Sequence, residues 1–166
     1  MATRIHPGTA LQVQDSNGRY RSASDEDVLN AARSAINRRF RRGRALTSPV
    51  DSQEFLAVRL AHLEHEVFAV LWLDNRHRIL AFEELFRGTI DGSSVHPREV
   101  VKFALCHNAA ACIMAHNHSS GVSEPSRADL NTTQRLKDAL VLIDVRVLDH
   151  IVVGETRTSL AARGLV

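Results

Sequence analysis

The chain has 166 residues, of which 44% are hydrophobic and 24% charged, enough apolar material for one core of ordinary size. Its formal net charge is only +2, no run of about 18 apolar residues occurs, and the first twenty residues lack the apolar stretch of a secretory signal. Neither a transmembrane helix nor a secretory signal is expected, and a cytoplasmic location is expected.

The charge is unevenly placed. Residues 1–44 carry nine Arg against four acids, and the remainder carries twelve basic against fifteen acidic residues. The excess concentrates in Arg38-Arg39-Phe40-Arg41-Arg42-Gly43-Arg44. Such a run can contact nucleic acid or another polyanion through Arg38, Arg39, Arg41, Arg42 and Arg44. It also reads as a solvated helix end, where cations complement the helix dipole. Residues 1–44 are thus expected to form an N-terminal arm and a basic helix.

Residues 1–23 are polar and aperiodic and read as a loose arm or an edge element. A helix is expected from Ser24, with Asp25, Glu26 and Asp27 in its first turn and Val28, Ala32, Ile36 and Phe40 as an apolar stripe. Asp51 with Glu54 resembles a capping box for a second helix burying Phe55, Leu56, Leu60 and Leu63. The near-continuous apolar run from Glu66 to Leu73 suits a buried strand. A turn at Asp74–His77 leads to a second strand between Arg78 and Ile90, with Ile79, Ala81 and Phe82 candidates for the core. Asp91–Ser94 reads as a loop. Pro97 opens a helix to about Asn108, Ala110–Ala115 is a third strand, and His116–Pro125 a polar loop. A helix from Ser126 to about Leu142 and a strand from Arg146 to Val153 complete the order α-α-β-β-α-β-α-β, an α/β fold around one mixed sheet. Cys106 and Cys112 lie in apolar stretches and are expected to be buried free thiols.

The most informative segment is Met114-Ala115-His116-Asn117-His118-Ser119-Ser120-Gly121. On an extended chain His116 and His118 point to the same side, so two imidazoles can meet one ion. Zinc accepts imidazole nitrogen and carboxylate oxygen, and a catalytic zinc keeps one position for water. Asp129 follows eleven residues later; with Ser126 as N-cap it sits at N3, where side chains lean back toward the helix start. The same residues also fit two loop histidines and an ordinary capping acid.

His116-x-His118, ten intervening residues and Asp129, with Ser126 three before it, resembles the JAMM motif of JAB/MPN metallopeptidases. Glu84-Leu85-Phe86-Arg87-Gly88-Thr89, His96-Pro97-Arg98-Glu99-Val100, Asn108-Ala109-Ala110-Ala111 and Asp149-His150-Ile151 resemble phrases of the RadC-like branch of that superfamily. The resemblance covers about residues 45–166. It implies a cytidine-deaminase-like α/β fold, a mixed sheet flanked by helices, with one zinc on His116, His118 and Asp129 and water as nucleophile. It further implies that Glu66 polarises the water, with Glu83 and Glu84 as competitors, and that Ser126, also a capping candidate, steadies the oxyanion. The family usually has proline after the second His; Ser119 stands there, which bears on the stiffness of the loop.

Hydrolysis of a peptide or isopeptide bond is the leading functional expectation. A non-catalytic DNA repair or recombination role is the alternative, supported here only by the basic run. Zinc deamination of a base needs His-x-Glu and Pro-Cys-x-x-Cys, and the chain has neither. His6, His62, His65, His77 and His96 are expected on the surface or in loops, His107 at a helix end, and His150 at a position that either lies near the cleft or does not.

Overall fold

The computed structural model describes residues 11–14, 18–39, 43, 45–46, 48–88 and 95–166, the side chains of residues 36, 37 and 39 apart. The chain divides into two compact units, Met1–Arg39 and Phe40–Val166. None of the described helices is long and apolar enough to cross a membrane.

In the first unit, β1 (Gln12–Gln14) pairs antiparallel with β2 (Tyr20–Ser22), and α1 (Asp25–Arg39) follows. Of the loose arm or edge element expected over residues 1–23, the described part forms these two short strands. Ser24 caps α1 as expected, accepting from the Asp27 amide while the Asp27 carboxylate accepts from the Ser24 amide. Arg21 grips the same carboxylate with both terminal nitrogens, at 2.6 and 3.0 Å. The expected apolar stripe is not buried where it is described: Val28 is 39% exposed and Ala32 is exposed. A two-stranded ribbon of three-residue strands is too small to cover a helix face. Ile36 and Phe40 of that stripe lie outside the described side chains. So do Arg39, Arg41, Arg42 and Arg44 of the basic run; Arg38 is exposed on the last turn of α1.

The second unit opens on α2 (Pro49–Leu60). Its N-cap is Ser48, whose hydroxyl accepts from the Asp51 amide, and Pro49 takes the first turn. The expected Asp51 cap is thus one residue type and one turn late: proline right after Ser48 sets the helical φ earlier. Phe55, Leu56 and Leu60 are buried as expected, whereas Leu63 lies past the helix end.

β3 (Val67–Leu73) is buried along its whole length. It pairs antiparallel with β4 (Ile79–Arg87) and, on its other side, with β5 (Ala111–Asn117). α3 (Pro97–Cys106) links β4 to β5, and α4 (Arg127–Val141) links β5 to β6 (Arg146–Val153), which runs parallel to β5. An unpredicted β7 (Arg157–Ser159) closes the edge, followed by a short 3-10 turn at Ala161–Arg163. The sheet order β4-β3-β5-β6-β7 is mixed, as expected for an α/β fold with helices on its faces.

The two sheet faces bury different things. Phe68, Val70, Trp72, Cys112 and Met114 point to one face and pack with Val100 and Ala104 of α3 and Leu136 and Leu140 of α4. Alternation sends Ala69, Leu71, Ile113 and Ala115 to the opposite face, where α2 packs. One expectation about the thiols fails. Cys112 is buried, which pushes its thiol up to about 12, but Cys106 is exposed at the C-terminal end of α3, beside exposed Leu105. An apolar stretch on an amphipathic helix does not bury every member, because Val100 and Ala104 share the inward face while Leu105 and Cys106 turn outward.

Candidate metal centre

β5 carries the centre. It runs two residues further than its apolar composition suggests, so His116 and Asn117 are strand residues, 7% and 3% exposed. His116 follows Met114 on the α4 face of the sheet, and His118 follows His116 just past the strand end. The sequence from Ser126 then behaves as expected: Ser126 is the N-cap of α4 and Asp129 sits at N3 in a full capping box. The Ser126 amide donates to Asp129 Oδ2 at 2.7 Å, and the Asp129 amide donates to Ser126 Oγ at 3.2 Å.

This cap delivers the carboxylate to the histidines. His116 Nε2 and His118 Nε2 lie 2.9 Å apart, His116 Nε2 is 3.3 Å from Asp129 Oδ1, and His118 Nε2 is 3.4 Å from Asp129 Oδ2. Ligand atoms about 2.05 Å from a tetrahedral ion stand about 3.3 Å apart, so this spacing fits a small divalent metal. Among the described residues these three form the group able to hold one. The Ser126 amide donating to Oδ2 favours the charged form of the Asp129 carboxyl. The carboxylate is therefore ionised, as a ligand must be.

Supporting contacts surround the triad. His118 Nδ1 lies 2.6 Å from the Val122 carbonyl oxygen, which can only accept, so Nδ1 holds the ring hydrogen. His116 Nδ1 lies 2.8 Å from Nε2 of His150, a fully buried ring on β6. His150 Nδ1 lies 2.6 Å from Thr133 Oγ1, and that hydroxyl donates to the Asp129 carbonyl at 2.7 Å. Burial, with help from His116 and His118, depresses the pKa of His150 against the opposing pull of Asp129. Sequence reasoning left His150 undecided and passed over Thr133; both belong to this centre.

The loop after His118 is held on both sides. The His118 amide donates to the Val153 carbonyl at 2.9 Å, and the Gly121 amide returns to the His118 carbonyl at 3.1 Å. Ser119 is the second residue of that turn, the place where proline's fixed φ is most useful; the turn closes with serine there. The Gly121 carbonyl accepts from the Glu155 amide at 2.7 Å, and Ser123 Oγ meets Thr156 Oγ1 at 2.7 Å. Gly154 makes this close approach possible. A Cβ there would collide with the backbone carbonyl of Gly121 and come within 2.9 Å of the Ser123 amide nitrogen. Gly154→Ala is expected to cost about 1–3 kcal/mol and to weaken metal binding by shifting the Val122 carbonyl from His118. Denaturant unfolding and metal titration check this; a wild-type midpoint with wild-type affinity would refute it.

Glu66 sits immediately before β3 and is half-buried. β3 pairs with β5 up to Phe68↔His116, and Glu66 lies two residues ahead of that last pair. Its backbone is held there: the Gly88 amide donates to the Glu66 carbonyl at 2.8 Å. Asn117, which sequence reasoning missed, clasps the residues on either side. Its side chain accepts from the Val67 amide at 2.8 Å and donates to the His65 carbonyl at 3.0 Å. The competitors are engaged elsewhere. Glu83 Oε2 lies 3.3 Å from Trp72 Nε1 and 3.0 Å from His107 Nε2. Glu84 pairs with Ala69 on the α2 face and interacts with Arg59.

The family model of the RadC-like JAB domain matches residues 46–165. The chain belongs to the RadC-like JAB domain family. A UPF0758 protein of Thioalkalivibrio sulfidiphilus is 60% identical over 149 residues, covering 90% of this chain and 67% of the relative. One of Nitrosococcus oceani is 62% identical over 139 residues, covering 83% and 62%. One of Vibrio cholerae is 55% identical over 142 residues, covering 86% and 90%. The chain thus spans about two thirds of the length of the first two relatives. In this RadC-like domain the matched region contains the whole triad, Glu66 and their supporting residues.

Proposed function

We propose that the protein is a zinc-dependent hydrolase that cleaves a peptide or isopeptide bond with metal-activated water. The observation that carries this reading is the convergence of His116 Nε2, His118 Nε2 and the Asp129 carboxylate at the end of the sheet. Two imidazoles and one carboxylate suit zinc, and three protein donors leave a fourth position for water. When bound, zinc lowers the pKa of such a water to about 7.

The remaining steps belong to the chain. Glu66 accepts the water proton on its carboxylate and returns it to the leaving amine. Ser126 Oγ accepts from the Asp129 amide, which leaves its hydroxyl hydrogen for the charge that develops on the scissile carbonyl oxygen. The cap and the oxyanion contact are thus compatible on one hydroxyl.

Protein purified without chelator is expected to carry about one zinc per chain. A panel of peptide and isopeptide-linked probes tests the reaction. Cleavage of any member should stop on chelation and return with zinc but not with magnesium, which prefers all-oxygen ligands. Background zinc, or cleavage indifferent to chelation, would defeat the proposal.

A further inference from the structure

Thr133 and His150 supply no ligand atom to the triad, yet they connect two of its members. The Thr133 hydroxyl has one hydrogen, and the Asp129 carbonyl oxygen 2.7 Å away can only accept it. Toward His150 Nδ1, at 2.6 Å, Thr133 Oγ1 therefore presents a lone pair, and Nδ1 holds a hydrogen. His150 is 1% exposed, with the Phe68 ring packed edge-on against it. A ring so enclosed is neutral and carries one hydrogen, so its Nε2 accepts. His116 Nδ1, 2.8 Å away, must then donate, and His116 Nε2 is left bare. The Val122 carbonyl does the same for His118 from the other side.

We propose that Thr133 and His150 are positioning residues that fix His116 in the Nδ1–H tautomer, so that its Nε2 faces the metal with no hydrogen to remove. The proposal rests on the metal reading above and deepens it. The opposite arrangement has a specific cost. With the His150 hydrogen on Nε2, His116 would accept at Nδ1 and carry its own hydrogen on Nε2, pointing into the space between His118 and Asp129. Thr133 would also have to turn its hydrogen from the Asp129 carbonyl to His150. In the arrangement assigned here two bare nitrogens and a carboxylate converge with no hydrogen among them, a site for a cation. Because Thr133 also holds the Asp129 carbonyl, one hydroxyl sets both the tautomer of one ligand and the backbone of another. Partners of this kind raise ligand basicity and are worth about 10–100-fold in metal affinity.

The test uses the full chain with 15N-labelled histidine. Ring nitrogen shifts of the zinc-loaded wild type should show His150 with its hydrogen on Nδ1. Zinc affinity, measured by competition with a chromogenic chelator, should fall about 10–100-fold in Thr133→Val and His150→Phe. It should stay within about threefold of wild type in Thr133→Ser, which keeps the hydroxyl. A purely structural role would lower the melting temperature without moving the His150 tautomer and without rescue by serine. A His150 hydrogen on Nε2, or wild-type affinity in Thr133→Val, overturns the assignment. The tautomer measurement needs no variant, so misfolding of one does not shield the proposal. No zinc uptake by the wild type overturns the metal reading and this proposal together, whereas uptake with unaffected variants overturns this proposal alone.

Discussion

Glu66→Gln is expected to keep its zinc and lose hydrolysis by about 10²–10⁴-fold, the usual contribution of a positioned general base. The amide has nearly the shape of the carboxylate but cannot take the water proton. Metal content should be unchanged, because the ligands come from β5 and α4 and Glu66 lies just ahead of β3. Glu66 lies two residues ahead of the last β3–β5 pair, Phe68↔His116, with Asn117 and Gly88 holding the backbone around it. Glu83→Gln and Glu84→Gln are the controls. Glu83 accepts from Trp72 Nε1 and lies beside His107, and Glu84 is on the α2 face, so neither change should alter the rate beyond its effect on folding. Rates are compared on whichever probe the wild type cleaves. An active Glu66→Gln beside an inactive Glu83→Gln would transfer the role to Glu83.

The double variant His116→Ala/His118→Ala is expected to fall from about one zinc per chain to background. A lone carboxylate on a helix cap cannot hold zinc against water. Stability gives a second reading of the same event. A ligand that binds only the folded state at 100 times its dissociation constant adds about 2.7 kcal/mol. Added zinc should therefore raise the wild-type melting temperature by several degrees and leave that of the double variant unchanged. Equal zinc in the two proteins by elemental analysis, or an equal thermal response, would place the metal elsewhere.

The candidate metal triad was legible because its signals are local. Ser126 and Asp129 are three residues apart, and a capping box is a matter of one helical turn. His116 and His118 are two apart on an extended chain, so alternation alone aims them alike. The bounds of β6, Arg146–Val153, also followed from composition and period, as did the buried strand expected from Glu66 to Leu73, which starts one residue later at Val67. Local signals erred where two candidates competed within a few residues. Ser48 with Pro49 outranked Asp51 as the start of α2, and Cys106 sat on the last turn of α3, where an apolar neighbourhood in sequence is not one in space.

Local signals in the sequence therefore carried the α/β fold class and the grouping of His116, His118 and Asp129, while the family came from the resemblance of whole motifs. The fold class and that grouping are written in period, cap and short-range spacing, which depend on backbone geometry a few residues either way. What supports those donors was decided only by the tertiary structure. β5 and β6 pair Cys112 with Val147 and then Ile113 with Asp149, so one residue of β6 is skipped. Strict alternation from Val147 would send His150 to the opposite face; the skip returns it to the face of Met114 and His116. A similar irregularity in β4 pairs Phe86 with Phe68 and then Glu84 with Ala69, which decides the faces of Glu83 and Glu84. Such slips arise from the packing and twist of neighbouring strands, and a single sequence carries no local mark of them. The contact between His116 and His150 spans 34 residues of chain. It exists because β5 and β6 lie side by side with a skipped residue that turns both rings to one face, an outcome of packing that spacing along the chain does not encode.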